Sequence, residues 1–505
     1  MTGRYPLRNG AWATTWGRSI LGRGEYTMAE LFRDNGYRTG MFGKWHLGDN
    51  YPYRPQDRGF ETVVAHRGGG VGQTPDFWGN SYFDDTYFHN GEPIPHEGYC
   101  TDIWFSEAER FIAARRDEPF FCYISTNAPH SPYRVAEAYA ASYRNNPNIP
   151  EPSFNGMITN IDDNFGKLRR RLQELDLEEN TLLIFMTDNG SSGGAVLDAQ
   201  QYVASGFNGG MRGKKGSYYE GGHRVPCFLR WPKKNILGGG DQDQLLSHID
   251  LMPTLAELFS LDVPAHPAWD GRSFASLVTP SHGEKRTDSS ERCIFLQYRQ
   301  STQAPEKWEN GVMKGPWRLI AGTELYNVEK DPEQRTDVSK EHPDMVEELR
   351  NAHEAWWRQV SPGLDAYQAI SIGSAHENPT RLDAFDLMGD SAWDQKHIRE
   401  ALRVCGSWNL QVEADGNYEI LLSRWPRESE LAQWDIPVDG GVELRFASAS
   451  VAIQGQSFSM PIGNDGGPVF AVSLKKGPAV LEANFYDRSG ASWAAYYVYV
   501  QRLNA

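Results

Sequence analysis

The stretch TGMFGKWHLG, residues 39–48, has the composition of a short apolar strand that runs into a glycine-bounded loop. Alternation along an extended strand would place the side chains of Lys44 and His46 on one face and that of Trp45 on the other. A cationic side chain and an imidazole can together bind an anion and move a proton. The stretch therefore predicts a strand with a polar site at its carboxyl end, although such a pair alone is also typical of a solvated surface.

Helix-like and strand-like segments alternate on both sides of this stretch, up to about residue 360. TMAELFRDNGYR (27–38) predicts a helix, and so do residues 102–116 and 154–177. PFFCYIS (119–125) and NTLLIFMTDNG (180–190) are continuous apolar runs that predict buried strands. This order is typical of an α/β sheet flanked by helices, in which functional loops follow the carboxyl ends of the strands.

The pattern changes toward the C-terminus. Residues 310–360 predict a small antiparallel hairpin followed by one charged helix. From about residue 370 alternating strands dominate, including a predicted hairpin around Asp415-Gly416, and together they predict a β-sandwich. We expect three units: an α/β domain, a small subdomain of antiparallel sheet and helix, and an accessory β-sandwich, at 1–305, 306–365 and 366–505.

Composition limits the functional classes. The chain has 505 residues, 39% of them hydrophobic, and 50 basic against 66 acidic residues give a formal net charge of −16. This balance argues against nucleic-acid binding and requires a local cationic cluster for any anionic substrate. The five cysteines show no CxxC spacing, which argues against a zinc site or a disulfide framework. No apolar run reaches the roughly 18 residues of a transmembrane helix.

Three further loops carry candidate functional residues. His130 lies between two prolines in NAPHSPY, and TDNG offers Asp188 and Asn189 as oxygen ligands for a hard cation. The glycine-rich stretch RGKKGSYYEGGHRVP contains Lys214 and Lys215. Taken singly, each of these loops is also typical of an ordinary turn or a flexible surface segment.

Taken together and in this order, the four motifs resemble the sulfatase family of the alkaline-phosphatase-like superfamily. The family pattern is GKWH, A-P-H-x-P, T-D-N-G and K-G-x-x-x-E-G-G-x-R-V-P, and every part of it is present here. LYNVEKDPEQRTDVS also resembles the small C-terminal sheet of that family. The resemblance covers about residues 2–360 and implies an alkaline-phosphatase-like mixed sheet flanked by helices.

The resemblance also implies roles for the cationic residues. Lys44, His130 and Lys215 would bind the sulfate oxygens, and His130 or Lys215 would protonate the leaving oxygen. His46 would lie against the nucleophile and act as its base. These residue types suit sulfate ester hydrolysis, which needs cationic donors on the non-bridging oxygens and an acid for the departing alkoxide.

For the metal, the resemblance implies that Asp188 and Asn189 are two of the ligands of a divalent cation, with Ca²⁺ favoured over Mg²⁺. The family nucleophile lies in C/S-x-P/A-x-R, seven residues before T-G-R, and a formylglycine-generating enzyme converts it to formylglycine. Here T-G-R is Thr2-Gly3-Arg4. We therefore expect the nucleophile segment to lie upstream of Met1 and the formylglycine precursor to be missing. Ser106 fits the motif formally, but it lies in the middle of a predicted helix.

The aromatic stretch RGGGVGQTPDFWGNSYFDDTYFHNGE, residues 67–92, allows two interpretations. It is either an irregular loop packed on the edge of the sheet or a wall of the substrate pocket. In the second case Trp78 and Tyr82 would stack on a sugar, and Asp76 or Asn80 would bond its hydroxyl groups. The C-terminal sandwich, with Trp425, Trp493 and Tyr496 expected at its surface, would either bind glycan or serve as a packing domain.

The resulting hypothesis is a sulfuric ester hydrolase that acts on a sulfated carbohydrate or an aryl sulfate. For the full-length protein we expect a bacterial origin and a periplasmic or secreted location. The alternatives are a non-catalytic relative that binds sulfated glycans, and a phosphodiester or phosphonate monoester hydrolase of the same superfamily. Fold alone does not decide between them.

Overall fold

The computed structural model describes residues 1–265, 268–279, 291–429, 441–463 and 467–503. Within these ranges no helix combines the length and the apolar character needed to cross a bilayer. The helices, in chain order, are α1 Pro6–Asn9, α2 Met28–Asp34, α3 Cys100–Ala114, α4 Glu137–Ala140, α5 Pro152–Glu174, α6 Glu220–His223, α7 Leu251–Leu258, α8 Ala275–Val278, α9 Pro343–Val360 and α10 Gln395–Arg399.

The strands fall into an N-terminal and a C-terminal set. The first set is β1 Arg38–Lys44, β2 Thr62–His66, β3 Thr86–His89, β4 Glu92–Pro95, β5 Phe120–Ser125, β6 Leu183–Met186, β7 Ala195–Leu197, β8 Val203–Gly206 and β9 Cys227–Arg230. The second set is β10 Cys293–Gln297, β11 Asn310–Lys314, β12 Trp317–Ile320, β13 Glu324–Asn327, β14 Ile370–Ile372, β15 Thr380–Asp383, β16 Met388–Gly389, β17 Gly406–Val412, β18 Gly416–Ser423, β19 Phe446–Ile453, β20 Gln456–Pro461, β21 Val469–Leu474, β22 Gly477–Asp487, β23 Ser492–Ala494 and β24 Tyr497–Arg502.

The central sheet has the strand order β4-β3-β2-β1-β5. Strand β1 runs parallel to β2 and β5, whereas β3 and β4 are antiparallel to their neighbours. Met41 and Phe42 of β1 are buried in two different apolar clusters, because successive side chains point to opposite faces of a sheet covered on both sides. The predicted mixed α/β fold is confirmed.

Strands β5 and β6 differ from the prediction of buried strands. Every side chain of both strands is half-buried. Within the described residues β5 pairs only with β1, and β6 pairs only with β9. Each strand therefore has one edge without a strand neighbour, which leaves its apolar side chains partly open to solvent.

The small sheet is larger than the predicted hairpin. Four antiparallel strands have the order β10-β11-β12-β13, and α9 packs against them. Strand β10 lies upstream of residue 306 and pairs with β11 over its whole length. A domain division at residue 306 would therefore separate β10 from its own sheet.

The C-terminal region contains two sheets around one shared core. The larger sheet has the order β14-β17-β22-β19-β20, with β16 on β17 and β23 on β22, and the smaller has the order β15-β24-β18-β21. The predicted hairpin around Asp415-Gly416 is wrong, because β17 and β18 belong to different sheets. The turn between them connects the two layers of the sandwich, since both strands alternate toward the shared core.

Candidate active site

Lys44 is the last residue of β1 and pairs in register with His66, the last residue of β2. Trp45 is buried on the far side, where its indole N–H donates to the carbonyl oxygen of Tyr53 at 2.8 Å. Trp45 therefore points into the core, but β1 ends at Lys44 and the backbone is no longer extended at His46, where φ is +59°, so strand alternation does not by itself place His46 on the side of Lys44. Burial lowers the pKa of Lys44 to about 8. The Asp188 carboxylate opposes this shift, and the charge of Lys215 adds to it.

The ring of His46 is held from several sides. Its Nε2–H donates to the carbonyl oxygen of Thr14 at 2.8 Å. The backbone of Gly69 lies against the ring, since a Cβ at Gly69 would come within 2.3 Å of His46 Cε1. Phe385, from the C-terminal sandwich, lies with its ring centroid 5.9 Å from that of His46. This orientation leaves Nδ1 of the neutral ring as the free base.

His46 and His130 are both neutral at pH 7. Burial, and next the charge of Lys44, hold the pKa of His46 well below its ordinary value. Burial and the charges of Lys44 and Lys215 lower the pKa of His130 to about 4. His130 Nδ1–H donates to the carbonyl oxygen of Ser131 at 2.6 Å, so Nε2 is the nitrogen that remains available.

The loop after β6 is tied to the glycine-rich segment by its backbone. Gly190 N–H donates to the carbonyl oxygen of Gly222 at 3.0 Å, and Lys215 N–H donates to the carbonyl oxygen of Ser191 at 3.0 Å. Gly190 must lack a side chain here, because a Cβ would lie 1.8 Å from the Gly221 carbonyl oxygen. These contacts bring Lys215 toward the end of β6.

Electrostatic interactions identify one cluster at the carboxyl ends of β1, β5 and β6. The charges of Asp188 and Lys215 act on both Lys44 and His130. The charge of Lys44 also lowers the pKa values of His46 and His66. Four loops that are distant in sequence therefore place five predicted site residues together: Lys44, His46, His130, Asp188 and Lys215.

The side-chain oxygens of TDNG are the type of ligand that a hard divalent cation binds, but only two residues provide them. Asp188 offers exposed carboxylate oxygens. The amide nitrogen of Asn189 donates to Gly190 O at 2.9 Å, which leaves the amide oxygen available. In the part of the chain that the structure describes, no group of three or more His, Cys, Asp or Glu side chains is arranged to hold a metal. Since Ca²⁺ usually takes about 6–8 oxygen ligands, these two residues would supply only part of the set.

A buried ion pair anchors the glycine-rich segment. Glu220 is 1% exposed and accepts from Arg318 Nε at 2.7 Å, which connects the loop to strand β12 of the small sheet. The Glu220 backbone N–H donates to Gln334 Oε1 at 2.8 Å. Glu220 therefore holds the Lys215 loop in place, and the small sheet contributes to the position of the cluster.

The three predicted substrate-binding residues lie in the loop of residues 67–80 and make contacts within the protein. Asp76 is fully buried and accepts from the N–H groups of Arg67 and Gly72 at 3.2 and 2.9 Å. Burial raises the pKa of Asp76 to about 7. Asn80 donates to Asp76 at 3.1 Å, and Trp78 packs edge-on against Trp425 at 5.3 Å. These contacts hold the loop together and do not favour direct substrate binding. The role of Asp76, Trp78 and Asn80 in substrate binding stays a prediction.

Two aromatic residues expected at the sandwich surface are instead buried. Trp425 and Tyr496 are each 1% exposed, and Trp493 is half-buried. Tyr82, expected to stack on a sugar, is also 1% exposed. The expectation of surface rings is wrong for Trp425, Tyr496 and Tyr82. The core shared by the two layers of the sandwich encloses the first two, and an apolar cluster formed by the central strands and α3 encloses Tyr82.

Sequence reasoning missed three residues that border the cluster. His66 is 2% exposed and ends a strand just as Lys44 does, so the strand-end rule could have found it in ETVVAH (61–66). Burial lowers the pKa of His66 to about 4. Thr14 acts through a backbone carbonyl and Phe385 comes from another sheet. No local sequence signal indicates such contacts.

Comparisons with known proteins identify the family to which the chain is similar. The model of the sulfatase family matches residues 1–261. A second model, for the C-terminal part of N-sulphoglucosamine sulphohydrolase, matches residues 213–357. The crystal structure of Ps i-CgsB in complex with k-i-k-neocarrahexaose has a TM-score of 0.60 and 25% identity, covering 72% of this chain and 85% of that one.

Two curated relatives show the extent of the match. An uncharacterised sulfatase of Escherichia coli K12, YdeN, is 28% identical over 300 residues, which cover 54% of this chain and 50% of that protein. An N-acetylgalactosamine-6-O-sulfatase of Bacteroides thetaiotaomicron is 27% identical over 448 residues, covering 69% of this chain and 80% of that protein. The chain thus spans about half the length of YdeN. Because the sulfatase model matches 261 of the 505 residues, the chain belongs to the sulfatase family.

Proposed function

We propose that this chain forms the sulfate-binding and proton-transfer part of a site that hydrolyses sulfate esters of carbohydrates or aryl alcohols. The observation that carries the proposal is the cluster of two lysines and two neutral histidines at the carboxyl ends of the central strands. Similarity to an N-acetylgalactosamine-6-O-sulfatase and to a protein crystallised with a neocarrahexaose favours a sulfated carbohydrate.

Each residue has a role that follows from its chemistry. The ammonium groups of Lys44 and Lys215 bind the non-bridging sulfate oxygens, where negative charge is greatest. A bound sulfate offsets the positive charges that keep His130 neutral, so its pKa rises and Nε2 can carry a proton. His130 or Lys215 then donates that proton to the leaving oxygen, and Nδ1 of His46 accepts the proton of the nucleophile.

Asp188 and Asn189 would hold a divalent cation, with Ca²⁺ favoured for their oxygen donors. When bound, such a cation supplies positive charge that stabilises developing negative charge near the reacting group. The nucleophile would be the formylglycine of the C/S-x-P/A-x-R segment, which precedes T-G-R in the sulfatase family. Ser106 lies in the middle of α3, inside an unbroken helix.

The test measures hydrolysis of p-nitrophenyl sulfate in the presence of Ca²⁺. Both proteins carry a C/S-x-P/A-x-R segment joined before T-G-R and are co-expressed with a formylglycine-generating enzyme, and in the first protein the Cys or Ser of that segment is replaced by alanine. We expect turnover only from the second protein. Equal turnover by both would contradict the assigned nucleophile, and hydrolysis of bis-p-nitrophenyl phosphate alone would favour a phosphodiesterase.

Adjacent lysines provide a matched control. Lys215→Ala should lower the rate by about 10²- to 10³-fold, the loss typical of removing one donor to a developing charge. Lys214→Ala removes the same charge one residue earlier and should leave the rate within about twofold, because Lys215 is the lysine whose charge acts on Lys44 and His130. Equal losses from both variants would contradict the assignment. Binding of sulfated glycan without any turnover would instead favour the binding-protein alternative.

A further inference from the structure

Exposed tryptophan and tyrosine side chains are rare in this protein. Among the described residues, Trp393 and Tyr298 are the tryptophan and tyrosine with more than a third of their surface open to solvent, at 42% and 43%. The chain has 16 tryptophans and 23 tyrosines, so exposure of these rings is not the general condition. A single exposed apolar residue needs no explanation, but the location of these two does.

Tyr298 lies beside the cationic cluster. Its ring packs on the backbone of Gly216, where a Cβ would lie 3.2 Å from Tyr298 Cε1, and Gly216 directly follows Lys215. Two residues further along the chain, Gln300 Oε1 accepts from the Thr14 hydroxyl at 2.7 Å. The same Thr14 binds the catalytic imidazole of His46 through its carbonyl oxygen. The segment of residues 298–300 therefore borders the cluster.

The backbone of Trp393, in the C-terminal sandwich, is connected to the same site through one loop. Its carbonyl oxygen accepts from Thr74 N–H at 3.1 Å. One residue before Thr74, Gln73 Oε1 accepts from Gly69 N–H at 2.6 Å, and Gly69 lies against the His46 ring. The Trp393 ring meets His397 edge-on at 4.8 Å and 90°. One short loop thus connects this exposed indole with the catalytic histidine.

We propose that Trp393 and Tyr298 are stacking subsites for the sugar rings of an extended sulfated glycan, at the rim of the sulfate-binding cluster. This inference rests on the proposed function and adds to it the length of the substrate. An indole or phenol ring presents a rigid apolar face with a polar edge, which suits a sugar ring with an apolar C–H face and hydroxyl groups at its edge. Since stacking involves no net charge, the contribution of these rings to the binding free energy should not depend on salt concentration.

Charge strengthens the argument for stacking. The chain carries a formal net charge of −16, which repels a polyanionic glycan at long range. The cations of the cluster bind one sulfate group, but they do not provide an extended basic track. Uncharged contacts beside the cluster would hold the neighbouring sugars without adding to the electrostatic cost. A polymer-binding site on an acidic protein therefore benefits from exposed aromatic rings at its rim.

The experiment measures binding of two probes by calorimetry, a chondroitin 6-sulfate hexasaccharide and the same hexasaccharide after chemical desulfation. Trp393→Ala and Tyr298→Ala should each weaken binding of both probes by about three- to tenfold. Trp393→Phe and Tyr298→Phe keep a ring and should restore most of the affinity. Val480→Ala removes an exposed side chain elsewhere on the sandwich, at 49% exposure, and should change nothing.

Salt dependence separates stacking from charge. The loss caused by each alanine variant should be the same at about 0.05 M and about 0.5 M NaCl, whereas binding of the sulfated probe by the cluster should weaken with salt. Unchanged affinity in both alanine variants would overturn the inference, and so would equal losses in the phenylalanine variants. Hydrolysis of p-nitrophenyl sulfate is measured alongside, with the protein that carries the C/S-x-P/A-x-R segment before T-G-R and is co-expressed with a formylglycine-generating enzyme. Failure there, with ring-dependent binding of the desulfated probe intact, would contradict the proposed function and leave the stacking subsites supported.

Discussion

Strand β5 in the central sheet and strand β24 in the sandwich are both six-residue strands rich in aromatic and aliphatic side chains, yet they are buried to different extents. All six side chains of β5 are half-buried. In β24 the four residues from Tyr497 to Val500 are fully buried. Strand β24 lies between β15 and β18, whereas β5 has β1 on one edge only within the described residues. A strand is enclosed when both of its edges and both of its faces are covered.

The difference separates two functions within the molecule. The half-buried strands β5 and β6 end in the loops that carry His130 and Asp188, so the proposed catalytic groups are supported by the less enclosed part of the protein. The sandwich buries a continuous core and also contributes Phe385 and Trp393 to the region around His46. We therefore expect the sandwich to be the more stable part and the catalytic sheet to be the more easily opened.

The largest expected effect is on the free energy of unfolding, when one aromatic side chain is removed from each region. Trp408→Ala removes a fully buried indole whose N–H donates to Asp383 O at 2.9 Å, and it should lower the free energy of unfolding by about 3–5 kcal/mol. Phe121→Ala in half-buried β5 should cost about 1–2 kcal/mol. Urea unfolding followed by circular dichroism measures both losses. Equal losses would contradict the difference in burial, and Phe121→Leu serves as the conservative control.

The second prediction concerns a histidine that is buried away from the cluster, in contrast with His46 and His130, for which we propose roles in proton transfer. His353 is 0% exposed, both of its ring nitrogens are without a hydrogen-bond partner among the described residues, and burial lowers its pKa to about 4. Above pH 6.5 the ring is neutral in both states. Between about pH 6.5 and pH 4 the unfolded chain takes up the proton first, so stability falls by about 3 kcal/mol in total.

The variant His353→Phe isolates this contribution. Because phenylalanine does not titrate, its free energy of unfolding should fall less steeply between pH 7 and pH 4, with a difference from the parent of about 3 kcal/mol. Urea titrations at a series of pH values measure the two curves. Parallel curves would show that the pKa of His353 is the same in the folded and the unfolded protein.

The third prediction concerns His130, in the loop that follows the half-buried strand β5. Burial, and next the charges of Lys44 and Lys215, hold the pKa of His130 at about 4, so added sulfate, which offsets those charges, should raise that pKa by at least about one pH unit. Sulfate affinity should therefore increase as the pH falls through this range, since the complex takes up a proton. Nuclear magnetic resonance of the imidazole nitrogens reports the titration. Lys215→Ala should itself raise the His130 pKa, whereas Lys214→Ala should not.

The smallest effects on stability should come from removing helix caps, and the losses should be similar in the two regions. Thr27 accepts from Glu30 N–H at 3.1 Å at the start of α2, and Asp394 accepts from Lys396 N–H at 2.8 Å at the start of α10. Replacing either residue by alanine should cost about 1 kcal/mol of unfolding free energy. Similar losses would show that the regions differ in packing and not in local helix stability. A much larger loss for Thr27→Ala would indicate that its second bond, to the Arg58 carbonyl oxygen, dominates.

Much of the α/β region could be predicted from local pattern. The periodicity of residues 27–38 and 102–116 predicted α2 and α3, because a helix with one buried face repeats its apolar residues every three or four positions. The rule that functional loops follow strands located Lys44, His130 and Asp188 correctly in the fold. The same rule would have located His66 if its strand had been recognised.

The failures have a common cause. The turn at Asp415-Gly416 has the sequence of a hairpin, but its two strands join different sheets. Trp425 and Tyr496 follow patterns that suited a surface, yet the opposite layer of the sandwich covers them. In each case the deciding contact comes from a segment tens of residues away, and local sequence contains no record of it.

The sequence by itself determined the chemistry: which side chains can bind an oxyanion, which can transfer a proton, and in which loops they lie. Only the tertiary structure decided that Lys44, His46, His130, Lys215 and Asp188 form one cluster, which of their pKa values are shifted, and that the sandwich borders it. The physical reason is that composition and periodicity act over a few residues. Burial and charge interactions depend instead on distances between groups that the chain brings together only when it folds.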